Sequence, residues 1–423
     1  MSSKKVISLV LIVMLMGMLA LTGCSGNKGE APNADTAVGE VKVGVLLPLS
    51  GPVAPIGVTS QRGYELAVEE INAAGGIKAL GGAKIKLITA DSRGDAKIGM
   101  SEAERLIQSD KVTVMTGAYQ SAVTYPSTQV AEKYKIPYIV PSAVKDEITQ
   151  RGFKYTFRTC PPMGWYTKAQ VDFAVEMGKK TGKPAKRVAL VYENTDWGQS
   201  AATAWKVDVP KAGMEIVLDA PYPATSSDLT PVILKIKQAN PDFILFTSYT
   251  SDAILLTNGI AQMKINSYGM AGGGGGHADP EYMKNTGKNS EYHYDLCEWS
   301  TDVGKPGVKE TNDKFKAKYG VDMNGESANC YASMYVLADA LERAGANDPE
   351  KIREALSKTN LSTTNAMIMP NTSVQFDETG QNINASLIMI QVRDGQRVTV
   401  WPESAKNPDF EAVWPVPKFE DRK

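Results

Sequence analysis

Two serines stand just after predicted strands, where their side chains could bind an anion. Ser121 follows a strand predicted at Val112–Thr116, and Ser142 follows one predicted at Ile136–Val140. Hydroxyl groups and free N–H groups at the start of a helix bind carboxylates and other anions. Because the two loops end adjacent strands, they predict a carboxylate site. Either serine alone could instead be an ordinary helix cap.

The loop before Ser121 reads Gly117-Ala118-Tyr119-Gln120 and is unusually polar. Pro126 is tolerated in the first turn of a helix, so the next helix is predicted to begin near Thr124 or Tyr125. That start leaves Ser121 in the loop, beside the amino end of the helix. The candidate ligand contacts in these two loops are Tyr119, Gln120, Ser121, Ser142, Ala143 and Val144.

Two aromatic side chains occupy polar loops in the second half of the pattern. Trp197 lies in Glu193–Gly198 and Tyr249 in Ser248–Thr250, each directly after a predicted strand. Aromatic faces can close on the body of a ligand while their polar edges orient it. Isolated aromatic residues are more often part of the core, but core aromatic residues are less expected in polar loops that follow strands. Trp165, in a predicted crossing between two lobes, is a weaker candidate of the same type.

The motifs of several common chemistries are missing from the sequence. No Gly-x-Ser-x-Gly follows a strand, and the first strand leads into Ser50-Gly51-Pro52 instead of Gly-x-Gly-x-x-Gly. Thr286–Asn289 lacks the upstream glycine and the Ser or Thr of a phosphate loop. The glycine run Gly272–Gly276 is a flexible or closely approached backbone. His277 and His293 are the only histidines and lack metal-ligand spacing, so no metal or cofactor is predicted.

Strand-like runs alternate with helical patterns, which predicts parallel sheets with crossover helices. One doubly wound series runs from Val41–Leu47 to Ile136–Val140, and a second of the same plan runs from Thr167–Lys179 to Ser251–Gln262. Ligands bind beyond the carboxyl ends of the strands in such sheets. The loops that carry the candidate residues are therefore predicted to face one cleft between two lobes.

The chain is predicted to cross between the lobes more than once. The helices Ala328–Ala344 and Asp348–Ser357 have no sheet beside them in the sequence, so we expect both to pack on the first lobe. The predicted boundaries are 41–163 and 300–375 for the first lobe, and 164–299 and 376–423 for the second.

The amino-terminal segment has the three regions of a secretory signal peptide. Two lysines precede an apolar run from Val6 to Ala20, which is short for a spanning helix. The run ends at Leu21-Thr22-Gly23-Cys24, which resembles the lipobox of bacterial lipoproteins, whose chain is cut before a cysteine that carries the lipid. We expect a signal peptide over 1–23 and a flexible tether over 24–40. The alternative is an uncleaved anchor followed by an unrelated cysteine.

Charge and cysteine content exclude some partners. The 46 Lys and Arg residues nearly balance the 47 Asp and Glu residues, and no basic block is interleaved with aromatics, so nucleic acid is not expected. Cys160, Cys297 and Cys330 show no short spacing for zinc or redox chemistry. We expect buried thiols, and the sequence does not decide whether two of them form a disulfide.

Several segments resemble the leucine, isoleucine and valine binding proteins that feed ABC importers. The likeness extends from Val41 to about Gln396 and implies the type I periplasmic binding fold: two α/β lobes joined by three crossings. It also implies a small ligand that is trapped as the cleft closes and is then delivered to membrane permease subunits. The segments that carry it are Val43–Gly51, Glu70–Ile77, Ile136–Ala143 and Phe157–Thr159.

The resemblance also assigns roles by position. Ser121 matches the serine that grips the ligand carboxylate in that family, and the backbone at Ser142 matches a main-chain contact. Trp197 and Tyr249 fall where the family places aromatic residues of the second lobe.

The sequence also departs from the family pattern. Val144 stands where many members have Thr, and Ile56 stands where a Tyr follows the first turn. The acidic residue that holds the ligand's ammonium should lie near Gly272, and none is there. Asp279 or Glu281 could substitute for it, or the ligand could lack an α-amino group.

We therefore predict a lipid-anchored, monomeric solute receptor of an ABC importer, which binds an amino acid or a related small carboxylate by hinge closure without chemistry. Its expected place is outside the cytoplasm, in the periplasm or on the cell surface. One rival is a sensory module that signals to a membrane partner. The other is an extracytoplasmic enzyme of the same fold, for which no nucleophile and base can be named.

Overall fold

A five-stranded parallel sheet with helices on both faces forms the first lobe. The computed structural model describes residues 39–362 and 364–422. The strand order is β2-β1-β3-β4-β5, and the buried strands are rich in Val, Ile and Leu because helices cover both faces of the sheet. The elements are β1 (Glu40–Leu47), α1 (Ala54–Ala73), β2 (Lys84–Asp91), α2 (Ala96–Gln108), β3 (Val114–Gly117), α3 (Ser121–Tyr134), β4 (Tyr138–Val140) and β5 (Thr156–Arg158).

The second lobe repeats this plan. Its elements are α4 (Met163–Thr181), β6 (Arg187–Glu193), α5 (Asp196–Lys211), β7 (Glu215–Tyr222), α6 (Thr230–Ala239), β8 (Phe243–Thr247), α7 (Thr250–Gln262), β9 (Gly269–Gly272), α8 (Pro280–Thr286) and β10 (Tyr294–Cys297). The order β7-β6-β8-β9-β10 in this sheet is the order of the first sheet over again. The predicted α/β class with two doubly wound lobes is confirmed.

The chain then returns to the first lobe before it ends in the second. The returning elements are α9 (Val308–Tyr319), α10 (Gly325–Ala344), α11 (Pro349–Ser357), β11 (Asn360–Leu361) and β12 (Val374–Gln375). The last strands, β13 (Ile388–Arg393) and β14 (Gln396–Trp401), add an antiparallel edge to the second sheet. The lobes are thus joined by crossings after β5, β10 and β12, as predicted.

Helix α10 packs along α1 of the first lobe. The Tyr331 hydroxyl donates to Glu70 Oε2 at 2.6 Å, and Lys314 of α9 pairs with the same carboxylate at 2.7 Å. At the crossing point of α1 and α10, Gly63 lies against the backbone of Ser327. This close approach determines where the amino end of α10 lies.

Two helices begin earlier than predicted. Helix α3 begins at Ser121 instead of Thr124, because the N–H groups of Val123 and Thr124 both bond to the carbonyl of Gln120 and close the first turn there. Pro126 therefore lies in the second turn, where it has no N–H to donate to the helix. Helix α4 begins at Met163 instead of Thr167, directly after a proline pair.

The predicted signal peptide and Cys24 lie outside the described residues. Within 39–362 and 364–422, we find no helix with both the length and the apolar character to cross a membrane. Cys160, Cys297 and Cys330 are buried free thiols.

Candidate functional site

A cavity lies between the lobes, beyond the carboxyl ends of the central strands. The space between its wall atoms is about 360 Å³ and is partly open to solvent. In each sheet the strand order reverses here, between β1 and β3 and between β6 and β8, which is where open α/β sheets form binding crevices. The residues that line it are Tyr119, Gln120, Ser121, Ser142, Val144, Tyr166, Trp197, Tyr249, Gly273, Gly274, Gly275, Glu298 and Glu326.

One end of the cavity offers neutral hydrogen-bond donors. Ser121 is the first residue of α3, so its own N–H and that of Ala122 have no acceptor within the helix. The Oγ of Ser121 accepts the backbone N–H of Lys145 at 3.2 Å, which leaves its own O–H free to donate. A carboxylate or a carbonyl oxygen of a ligand would find its partners here.

Three aromatic rings form the walls. Trp197 and Tyr249 lie with their ring centroids 5.0 Å apart, and Tyr119 lies 6.3 Å from Tyr249 across the cleft. Tyr119 has φ at 72°, a left-handed conformation that bulky residues seldom adopt. Gly275 fits beneath the Trp197 ring, and a Cβ at that position would overlap the ring. The glycine run therefore serves as a thin wall that leaves room for the indole.

Two of the cavity walls carry acidic residues. Glu298 follows β10 and is 3% exposed, and Glu326 lies in the first turn of α10 and is 5% exposed. Burial raises the pKa of both carboxyls, and the charge of Glu298 raises that of Glu326 further. A hydrogen bond from the Tyr166 hydroxyl partly offsets the rise at Glu298.

The cleft is closed in this structure. The Lys145 ammonium of the first lobe pairs with the Asp196 carboxylate of the second at 2.6 Å, at the outer edge of the cavity. Arg158, at the first crossing, forms hydrogen bonds both to the Lys145 loop and to the third crossing. Its guanidinium donates to the Lys145 carbonyl at 2.6 Å and to Gln381 Oε1 at 2.6 Å. The hinge and the binding loops are thus directly connected.

Three predicted site residues do not line the cavity. Trp165 points outward from α4 and is 38% exposed, and Ala143 is buried behind its neighbours. The carbonyl of Gly272 accepts from Gln170 at 2.9 Å, and its Cα faces His277 and Asp295 instead of the cavity.

The two acids suggested as ammonium partners have other roles. Asp279 caps α8 and accepts from the Thr250 hydroxyl at 2.7 Å. Glu281 pairs with Lys284 at 3.1 Å on the surface. Neither is among the cavity residues.

Sequence reasoning did not find Tyr166, Glu298 or Glu326. Glu298 follows a strand, which is the signal that marked the other loops, but β10 is only four residues long and contains Asp295. Glu326 stands in the first turn of a helix, where acidic residues are ordinarily explained by the helix dipole. Tyr166 was missed because α4 begins four residues before its predicted start.

Comparisons with known proteins identify the family. The family model described as periplasmic binding protein matches residues 40–397. Leu/Ile/Val-binding protein homolog 7 of Brucella suis biovar 1 is 32% identical over 400 residues, which cover 92% of this chain and 97% of the relative. Homolog 8 of Brucella abortus is 32% identical over 377 residues, covering 87% and 92%.

Solved structures share the fold. A leucine binding protein, LivK of Thermotoga maritima, superposes with a TM-score of 0.76 at 26% identity over 87% of this chain and 99% of its own. A solute binding protein of R. palustris in complex with benzoate gives a TM-score of 0.76 at 20% identity, over 89% and 99%. The two-lobed architecture, the cleft at the strand ends and the match along most of the sequence agree: this chain belongs to the periplasmic binding protein family.

Proposed function

We propose that this protein captures a small organic solute between its lobes and delivers it intact to the permease of an ABC importer. The observation that carries the proposal is the cavity at the strand ends, because both lobes contribute its walls. The curated relatives are named as Leu/Ile/Val-binding protein homologs, LivK is a leucine binding protein, and one structural neighbour holds benzoate. The protein would act as a monomer outside the cytoplasm, held at the membrane by a lipid on Cys24.

Capture would follow from contacts that only the closed form can make. A ligand that contacts Ser121 in one lobe and Trp197 in the other binds the closed form better than the open form, so it shifts the hinge equilibrium toward closure. The Lys145–Asp196 ion pair joins the same two lobes and would form as the cleft closes.

Binding without turnover suits the hydrogen bonding of the cavity. Ser121 accepts a backbone N–H instead of facing a general base, and none of the described cavity residues is a histidine or a lysine. The Ser–His or Cys–His pair that many acyl-transfer enzymes use is thus not present among the described cavity residues.

Calorimetric titration with amino acids, aromatic acids, amides and small amines tests the proposal. We expect at least one solute to bind. Ser121→Ala should lower the affinity for that solute about 10-fold or more, because a hydrogen bond is lost. Trp197→Ala should lower it at least about 30-fold, because an aromatic contact is lost. The melting temperature of the ligand-free protein should stay nearly unchanged in Ser121→Ala, whereas Trp197→Ala also truncates a buried ring and should lower it.

The exposed Ser101 of α2 provides a matched control, since Ser101→Ala removes the same hydroxyl far from the cavity. It should alter neither affinity nor melting temperature. Failure of every solute class to bind would contradict the proposal. Equal losses of stability and affinity in Ser121→Ala would assign that residue a capping role.

A further inference from the structure

The cavity has an uneven charge. Its described wall residues include two carboxylic acids, Glu298 and Glu326, and no lysine, arginine or histidine. An anionic solute would therefore meet acids as well as neutral donors. A cationic solute would favour the ionised form of these acids, whose pKa values burial raises, and would so meet the opposite charge that makes partners complementary.

The two acids approach one another from different parts of the fold. Glu298 begins the second crossing, after β10, whereas Glu326 belongs to α10 of the first lobe. Glu298 Oε2 lies 3.1 Å from the position that a Cβ would take on Gly325, the residue before Glu326. One group held between the two carboxyls would therefore contact both sides of the cleft.

The Glu326 side chain is incompletely paired. Its Oε2 and the neighbouring Ser142 Oγ are fully buried and have no hydrogen-bond partner of good geometry among the described residues, although the Ser142 hydroxyl is close enough to lower the pKa of Glu326 in part. Buried polar atoms are ordinarily paired, because leaving them unpaired costs free energy. An unpaired acceptor in a cavity wall can accept a hydrogen bond from a donor group of a ligand.

The groups around the pair supply no positive charge. Tyr166 of α4 and Asp295 of β10 face Glu298, and Cys330 of α10 and Tyr119 of the β3–α3 loop face Glu326. Cys160 of the first crossing faces both acids. Each of these groups is neutral or acidic. Two guanidiniums contact these groups but are engaged elsewhere: Arg397 pairs with Asp295 at 2.9 Å, and Arg158, close to Cys160, donates to the Lys145 carbonyl and to Gln381.

We infer that the solute carries a cationic group with several N–H donors, an ammonium, amidinium or guanidinium, and that Glu298 and Glu326 hold this group between them. The inference rests on the proposed binding function and specifies its ligand class. Aromatic or aliphatic parts of the solute would contact Trp197 and Tyr249, and a carbonyl or carboxylate would reach Ser121.

Two pairs of probes of similar shape test this charge preference. Benzamidine and benzoate share one shape and carry opposite charges, and L-leucinamide differs from L-leucine by one net positive charge. In calorimetric titrations of the full protein, the more positive member of each pair should bind more tightly. Glu326→Gln and Glu298→Gln keep the side-chain size, and each should lower the affinity for the cationic probes at least about 30-fold. Benzoate should be unaffected or improved.

Glu281→Gln is the matched control, because it removes a surface carboxylate outside the cavity and should change no affinity. Benzoate or leucine binding as tightly as its cationic partner would overturn the inference, and so would cation affinities that survive both glutamine variants. Undetectable binding of both cations would overturn it as well. In these cases the proposed function would stand if any solute of the broader panel binds, and it would fall if none does.

Discussion

Gly275→Ala is expected to abolish solute binding, with a loss of affinity of at least about 100-fold on the scale of an interfacial aromatic anchor. Gly275 has φ at 58°, where a side chain is strained, and its Cβ would overlap the Trp197 ring. The ring would have to leave its place against Tyr249, which removes one wall of the cavity. Calorimetric titration with the tightest-binding solute of the panel measures the loss.

Gly273→Ala is the matched control in the same glycine run. Gly273 also lines the cavity, but its Cβ would come nearest to Gln170 Nε2 and the Phe246 carbonyl oxygen, both at 3.5 Å, ordinary contacts that leave the Trp197 ring in place. Its affinity should remain within about threefold of the native value, which is under 1 kcal/mol. Similar affinities for the two variants would show that the Trp197 wall does not contribute to binding.

Gly63→Ala is expected to lower the free energy of unfolding by about 3 kcal/mol. A Cβ at Gly63 would overlap the backbone carbonyl of Ser327, so α1 and α10 would have to move apart. A backbone cannot rotate away as a side chain can. Because Ser327 adjoins Glu326, the same shift should also weaken solute binding. Denaturant unfolding followed by circular dichroism measures the free energy of unfolding.

Gly259→Ala in α7 isolates the effect of backbone contact. It makes the same substitution inside a helix, but its new methyl group would meet the end of the flexible Ile233 side chain. The better helix propensity of alanine offsets part of that crowding, so the change in unfolding free energy should stay within about 1 kcal/mol. A Gly63→Ala variant as stable as this control would refute the close-packing explanation.

Sequence patterns predicted the sheets and the strand-end loops, because buried parallel strands are short apolar runs separated by recognisable helices. Ser121, Ser142, Trp197 and Tyr249 were found on that basis, and all four line one cavity. The position of each loop follows from strand order alone.

Helix starts were harder to predict, and they decided which aromatic residue faces the cavity. The four-residue shift in the start of α4 places Tyr166 on the cavity and Trp165 on the surface. Proline suggested a later start for α3, yet the Gln120 carbonyl closes a turn upstream of it. Alternative first turns of a helix differ little in free energy, and the hydrophobic periodicity of the sequence does not distinguish between them.

The acidic pair could not be predicted because it depends on tertiary structure. Glu298 and Glu326 come from a crossing and from a returning helix, and only the packing of α10 on α1 brings them to one cavity. The sequence places neither beside the glycine run, where an acid was expected. Contacts between segments that are distant in the chain leave no periodic signal.

Closure of the two lobes around a solute can be measured as the distance between spin labels on Glu147→Cys and Thr203→Cys. These exposed positions line the same outer groove from opposite lobes, and Cys160, Cys297 and Cys330 are buried. With the tightest-binding solute of the panel, we predict that a broad distribution of longer distances contracts to a single short one. A distribution that is unchanged at saturating solute would contradict capture by hinge closure.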